Sequence, residues 1–177
     1  MRSGALHTHI DSWPAHSLNP DEIVLQLRLS EPYAAELDIL REAQDRSDRA
    51  VDRAISDGTS FTVETVLSSD KFKARVNRAK SLGFCFEFIF VTVDAVDMNI
   101  VRVRDRVIRG GHDVPADRVV ARRLRSHLAL GWFAHAADMG FLFDNTVAPI
   151  VIAEKAEGAP AWTIHHPSLH PDLAGQL

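Results

Sequence analysis

The chain has 177 residues, of which 46% are hydrophobic and 25% charged, and its formal net charge is -4 at pH 7. This length predicts one domain with a core of its own. The slightly negative charge argues against general binding to nucleic acid or to an anionic membrane. The first residues lack the apolar stretch of a signal peptide, and one cysteine excludes an internal disulfide, so the sequence predicts a cytoplasmic protein. Cys85 lies in an apolar run, which predicts a buried small hydrophobe.

The N-terminal third of the chain predicts two helices. Residues 1–17 show no sustained hydrophobic period, and residues 5–10 could form a short strand. Asn19, Pro20 and the two acids after them indicate a helix start, because asparagine caps the first turn and acidic groups favour the positive end of the helix dipole. A helix over 20–29 and a second over 32–57, ended by Gly58, are expected.

The remaining elements alternate between strands and helices. The pattern predicts strands over 61–65, 84–93, 141–143 and 147–153, and helices over 70–82, 96–109 and 116–137. The proline-containing tail beyond Glu157 predicts a loosely held segment, in which His165, His166 and His170 are surface residues.

This alternation predicts an α/β fold with a parallel sheet flanked by helices. The strand over 84–93 is apolar on both faces, which favours a sheet covered on both sides. Ligands of such folds bind at the carboxyl ends of the strands. Polar residues directly after strands are therefore candidates, and two sets qualify: Glu64 with Thr65, and residues 144–146.

Four segments resemble the zeta toxin family, a group of P-loop kinases. They are LNPDEI at residues 18–23, FTVETVLS at 61–68, RVIRGGHDVP at 106–115 and FDNT at 143–146. Their order and spacing carry the resemblance. It implies a P-loop NTPase/kinase fold, a cofactor pair of ATP and Mg²⁺, an acceptor hydroxyl on a small molecule such as UDP-N-acetylglucosamine or another UDP-activated sugar, and an antitoxin protein as partner.

The sequence departs from this family at its start. Family members begin with a strand and a glycine-rich loop ending in lysine and serine or threonine, which binds the phosphates. Here 18 residues precede Asn19, Gly4 is the sole glycine among them, and the first lysine is Lys71. The expectation is an incomplete kinase domain over 18–156, preceded by an uncertain segment over 1–17 and followed by a tail over 157–177. Phosphotransfer depends on positioning and charge neutralisation, so this truncated form is expected to be inactive.

The resemblance also implies site residues. Asp21 matches the general base, and Glu64 matches an acid that binds substrate or acts near Mg²⁺. Asn19, Thr65 and Ser68 would add substrate contacts. The alternatives are structural: Asp21 as a first-turn acid that only complements the helix dipole, and Glu64 as an outward acid at a strand edge.

A cluster of arginines between residues 102 and 125 is the strongest local charge feature. Arginine binds phosphate well because its planar fork makes bidentate contacts and keeps its charge. By match, the resemblance assigns Arg106, and Arg122 or Arg123, to the ATP phosphates, and Asn145 to the adenine ring. Arg109, on the same helix face as Arg106, and His112 are further candidates for phosphate contacts. The structural alternatives are His112 as a cap of the preceding helix and Asn145 as a turn residue. The alternatives are solvated helix faces and, less favoured, a nucleic-acid patch.

Two further functional hypotheses remain open. The chain could be a non-catalytic remnant that binds a nucleotide or a partner protein. His7 and His9 point the same way on a strand, which would suit a metal-dependent hydrolase, although no further ligands are evident and no metal site is assigned.

Overall fold

The computed structural model describes residues 17–108 and 114–177. Two compact units divide the chain, Met1–Thr65 and Val66–Leu177, which are called unit 1 and unit 2. The domain predicted over 18–156 therefore extends across parts of both units. Each unit is described by itself.

Unit 1 combines a short parallel strand pair with two helices. Its elements within residues 17–65 are β1 (Ser17–Leu18), α1 (Pro20–Ser30), α2 (Glu36–Asp57) and β2 (Thr62–Val63). Strands β1 and β2 pair in parallel, with Leu18 opposite Val63. The chain can run parallel here because the two helices form the crossover between the strands.

Local signals explain the bounds of α1 and α2. Asn19 caps α1, since its side-chain oxygen accepts the backbone N–H of Asp21 at 2.9 Å. Helix α2 ends at Gly58, whose φ of 69° lies in the left-handed region. It begins at Glu36, four residues after the predicted start, because the Ala34 N–H donates to the Glu31 carbonyl and closes a turn there.

The core of unit 1 lies between its two helices. Val24 and Leu27 of α1 pack with Ile39 and Ala43 of α2 in one buried cluster. Burial of each large aliphatic side chain stabilises the fold by about 1.5–3 kcal/mol. The buried core of unit 1 therefore comes from the facing sides of α1 and α2.

Unit 2 is built around a four-stranded sheet in the order β3–β4–β5–β6. Its elements along the chain are α3 (Lys71–Ser81), β3 (Glu87–Thr92), α4 (Val96–Ile108), α5 (Ala116–Ala136), β4 (Met139–Asp144), β5 (Ile150–Lys155), β6 (Thr163–Ile164) and α6 (Pro171–Ala174).

The sheet of unit 2 is mixed. Strands β3 and β4 are parallel, but β5 and β6 are antiparallel to their neighbours. The α/β class is confirmed, and the expectation of a wholly parallel sheet is wrong. The short connection over residues 145–149 explains the difference, because it allows a reversal and is too short for a parallel crossover. Strand β5 begins after Pro149, which has no N–H to donate to the ladder.

Strand β3, at one edge of this sheet, is buried mainly on one face. Phe88 and Phe90 are buried, and the Phe88 ring stacks on Phe133 of α5 at 5.8 Å between centroids. Val91 is 56% exposed, so the expectation that helices cover both faces fails at this position. On the neighbouring strand, Gly140 lies so close to the Phe88 carbonyl that a Cβ atom would overlap it.

Cys85, just before β3, is exposed, so the prediction of a buried side chain is wrong. The thiol remains unsuited to nucleophilic chemistry. Although the side chain is exposed, nearby protein atoms partly desolvate the sulfur, and this effect, followed by the carboxylates of Asp138, Glu157 and Glu87, raises its pKa and disfavours the thiolate.

The C-terminal segment has defined structure. It contains β6 and α6, in which Leu173 and Ala174 are buried. His165 and His166 are exposed, as expected, but His170 is 8% exposed and its assignment as a surface residue is wrong. No local pattern indicates this burial, because the buried residues are few and separated by prolines. Over residues 17–108 and 114–177, no helix is long and apolar enough to cross a membrane.

Candidate functional site

Two polar residues lie just after the paired strands of unit 1. Asn19 comes directly after β1 and Glu64 directly after β2, and the parallel register brings them side by side. The Asn19 amide nitrogen donates to Glu64 Oε2 at 3.2 Å, across 45 residues of sequence. Both residues therefore lie at the carboxyl ends of parallel strands, the edge at which α/β folds bind ligands.

The Asn19 side chain makes two hydrogen bonds with opposite roles. Its oxygen accepts the Asp21 N–H and caps α1, and its nitrogen donates to Glu64. These partners fix the orientation of the amide, because only one of its ends can donate. The start of α1 and the end of β2 are thereby joined through one side chain.

The acids of this site are accessible. Asp21, Glu64 and Thr65 are all exposed. An ionised carboxylate has about four acceptor positions, so the bond from Asn19 leaves Glu64 able to accept others. The group of Asn19, Asp21, Glu64 and Thr65, called the unit 1 site, can thus accept hydrogen bonds from hydroxyl groups.

Ser68 belongs to unit 2. Its backbone carbonyl accepts a hydrogen bond from the Arg125 Nε at 3.0 Å, which fixes the loop before α3. This contact involves the backbone, so the proposed role of the Ser68 hydroxyl in substrate binding stays a prediction.

Arg123 anchors the loop after β3. It donates to the carbonyls of Val93 at 2.7 Å and Asp94 at 3.1 Å, and to Asn99 Oδ1 at 2.9 Å. Burial lowers the pKa of its guanidinium, and the nearby Asp94 carboxylate opposes that effect. Protein groups take up these donors, so the structure gives Arg123 a structural role, and its role in phosphate binding stays a prediction.

The other residues assigned to ATP have different placements. Asn145 lies in the loop after β4, where its N–H donates to the Thr92 carbonyl at 2.8 Å and its own carbonyl accepts from Arg102. Arg122 lies on α5, partly buried. Arg106 lies on α4, but its side chain, together with Arg109 and His112, falls outside the described part of the structure.

A buried hydrogen-bonded pair lies at the carboxyl end of β4. The His170 Nε2 lies 2.7 Å from Asp144 Oδ2, and each side chain is 8% exposed. Asp144 Oδ1 accepts the backbone N–H of Thr146. Burial alone would raise the pKa of Asp144, but the hydrogen bonds from Thr146 and His170 outweigh it, and the pKa is lowered.

A second histidine lies at the end of β3. His127 Nε2 is 3.1 Å from Thr92 Oγ1, and its ring meets Phe90 edge-on at 5.8 Å between centroids. Burial, and then the charges of Arg123 and His170, lower the pKa of His127 to about 4. The imidazole is therefore neutral at pH 7.

Sequence reasoning missed both histidines. Asp144 stood out because it ends a strand, but its partner is 26 residues away in the tail. His127 lies within a long helix rich in arginine, and no spacing marks it. Only the tertiary fold brings these groups together, with His127 supplied by α5 and His170 by the residue before α6.

The described residues contain no metal-binding cluster, and two arginines near the strand ends donate to protein oxygens. Residues 17–108 and 114–177 contain no group of three or more histidine, cysteine or acidic residues that could hold a metal ion. His7 and His9 lie outside those ranges. The 177 residues contain no glycine-rich phosphate loop, and Arg102 and Arg123 donate to protein oxygens.

Comparison with known proteins identifies a distant relative. The chain is 29% identical over 105 residues to a protein of Haemophilus influenzae described as uncharacterized, and the match covers 59% of this chain and 72% of that protein. No protein-family model matches the chain, and no solved structure matches it.

Proposed function

We propose that the chain is a zeta-toxin-like kinase domain that retains the acceptor site and lacks phosphotransfer by itself. The acceptor would be a small molecule with a free hydroxyl, in the first instance a UDP-activated amino sugar. The observation that carries this proposal is the contact between Asn19 and Glu64 at the carboxyl ends of β1 and β2. These residues come from two of the segments on which the family resemblance rests.

The chemistry of the unit 1 site suits a sugar. Sugar hydroxyls both donate and accept, and the exposed carboxylates of Glu64 and Asp21 are strong acceptors. The Asn19 amide keeps the Glu64 carboxylate oriented in the free protein. This side chain therefore loses less conformational entropy when a ligand binds. Asp21 would orient the acceptor hydroxyl, which is the position that a general base requires.

The first experiment measures thermal unfolding of the full chain alone, with UDP-N-acetylglucosamine and with Mg-ATP. A ligand that binds only the folded state raises the midpoint. The proposal predicts a rise with the sugar nucleotide and none with Mg-ATP. A rise with Mg-ATP alone, or with neither ligand, would contradict it.

Matched variants locate the binding site. Glu64→Gln removes a charge and retains the shape, and we expect it to weaken sugar-nucleotide affinity about tenfold or more, since a charge-assisted hydrogen bond is lost. Glu22→Gln is the control, because Glu22 is an exposed acid in the first turn of α1. Equal affinity in both variants would place the ligand elsewhere.

The alternative of a remnant that binds a partner protein gives a different result. It predicts that the sugar nucleotide does not stabilise the chain. It also predicts that, in the presence of this ligand, Glu64→Gln and Glu22→Gln unfold at the same thermal midpoint. The same titration therefore separates the two functions.

A further inference from the structure

The C-terminal segment over residues 165–177, called the strap, contacts three elements of unit 2. The backbone N–H groups of His165 and His166 donate to the Ile152 carbonyl of β5 at 2.8 and 3.2 Å. His170 contacts Asp144 at the end of β4. The Gln176 side chain accepts the N–H of Gly131 in α5 at 3.3 Å. The strap thus contacts β5, the end of β4 and α5.

The contact between Asp144 and His170 is the buried anchor of the strap. An ionised carboxylate can only accept, so the His170 Nε2 must carry the proton and donate it. Both side chains are buried. Removing either partner would leave the other buried without it, which costs much more than the loss of an exposed hydrogen bond.

The same carboxylate also fixes the loop after β4. Its second oxygen accepts the Thr146 N–H, and the Thr146 hydroxyl accepts the Asp94 N–H at 2.8 Å. The Asn145 N–H donates to the Thr92 carbonyl. Asp144 therefore lies between the strap on one side and two loops on the other, those after β3 and β4.

We propose that the strap is a conformational clasp, in which the Asp144–His170 contact couples closure of the strap to the order of both loops at the carboxyl ends of β3 and β4. When the strap opens, Asp144 loses a partner and the loop amides that depend on it lose their fixed acceptors. No residue of unit 1 takes part, so this proposal does not depend on the acceptor site.

Hydrogen exchange of the full chain, read by mass spectrometry, tests the clasp. His170→Ala should speed exchange about tenfold or more in two separate places, since each partner of a buried hydrogen bond contributes substantially to local stability. The first place is the strap, where Leu173 and Ala174 donate to the His170 carbonyl. The second is the pair of loops, at Asp94 and Thr146.

Two further variants keep the test decisive. His170→Gln retains an N–H donor and should recover part of the protection at both places. His166→Ala changes an exposed side chain of the same strap and should leave the loops unchanged. Faster exchange in the strap alone, with the loops as in the wild type, would overturn the proposal. If His170→Ala unfolds the chain, His170→Gln alone decides. Faster exchange in its strap, with exchange in its loops unchanged, would also overturn the proposal.

Discussion

The two units place polar groups at the same kind of position and use them differently. In unit 1, Asn19 and Glu64 lie just after paired parallel strands and Glu64 is exposed. In unit 2, Thr92 and Asp144 end paired parallel strands and are buried beneath α5 and the strap. Carboxyl ends of parallel strands concentrate polar side chains in both units. Burial decides whether such a group is accessible to a ligand or joins parts of the fold.

The energetic consequence differs accordingly. Exposed polar contacts contribute little to stability because water competes for both partners. Buried ones are costly to break, since the group left behind has lost its water as well. Substitutions should therefore alter binding in unit 1 and stability in unit 2.

The largest expected effect comes from Gly140, where β4 lies very close to β3. Gly140→Ala should destabilise the chain by about 3 kcal/mol or more, because the new methyl group would overlap the Phe88 carbonyl of the adjacent strand and backbone must move. Urea unfolding followed by circular dichroism measures the change.

Gly131→Ala provides the matched control for this prediction. A Cβ at Gly131 meets Gln176 at an ordinary 3.4 Å, and alanine favours a helix interior by about 1 kcal/mol over glycine. We expect little loss of stability. Similar destabilisation by both substitutions would mean that close strand packing is not the cause.

A smaller effect concerns pH and the buried cluster of unit 2. The pKa of His127 is about 4 in the folded chain against an ordinary value of 6.5, so between these values the unfolded state binds more protons. Stability should be complete above about pH 6.5 and fall by about 1–3 kcal/mol as the pH approaches 4, after allowance for partial exposure. Urea midpoints at several pH values measure this slope.

His127→Gln should flatten the slope, because glutamine has no charge to gain. His135→Gln, which changes an exposed histidine of the same helix, should retain it. An undiminished slope in His127→Gln would assign the acid sensitivity to other groups. Below about pH 3.8 a further loss is expected from Asp144, since its pKa is lowered in the folded state and its stabilising contribution ends as it is protonated.

The smallest effect lies in the exposed site of unit 1. Asn19→Ala removes the cap of α1 and the bond to Glu64, and should cost about 1 kcal/mol. Asn19→Asp keeps an oxygen for the cap but sets a second carboxylate beside Glu64. It should retain more stability than alanine and still lose sugar-nucleotide affinity. Urea unfolding and ligand titration of the two variants measure these changes.

Ser30→Ala is the control at the other end of α1, where the hydroxyl donates to the Leu27 carbonyl at 3.3 Å. We expect a change within about 0.5 kcal/mol. If Ser30→Ala and Asn19→Ala destabilise the chain equally, general weakening of α1 explains both changes. The result would then no longer support the contrast between the exposed and the buried site.

The sequence predicted the helices well. The helix expected over 20–29 is observed as Pro20–Ser30, and that over 116–137 as Ala116–Ala136. Helix signals are local: a capping asparagine, a proline in the first turn and a glycine at the end each act within one turn. The sequence also indicated Asn19 and Glu64 as candidate site residues. The position of Glu64 could be predicted, because once a strand is recognised the sequence itself shows which residue follows it.

Sheet direction and burial were decided by tertiary structure. Nothing local distinguishes β4 and β5 as an antiparallel pair except a connection of five residues, and β5 itself reads like any other apolar strand. The burial of His170 could not be predicted for the same reason. A histidine between prolines has the same local pattern whether it is exposed or buried in contact with Asp144. Local sequence determines backbone preference over a few residues, whereas pairing and burial depend on contacts between residues far apart in the chain, and only the assembled fold creates those.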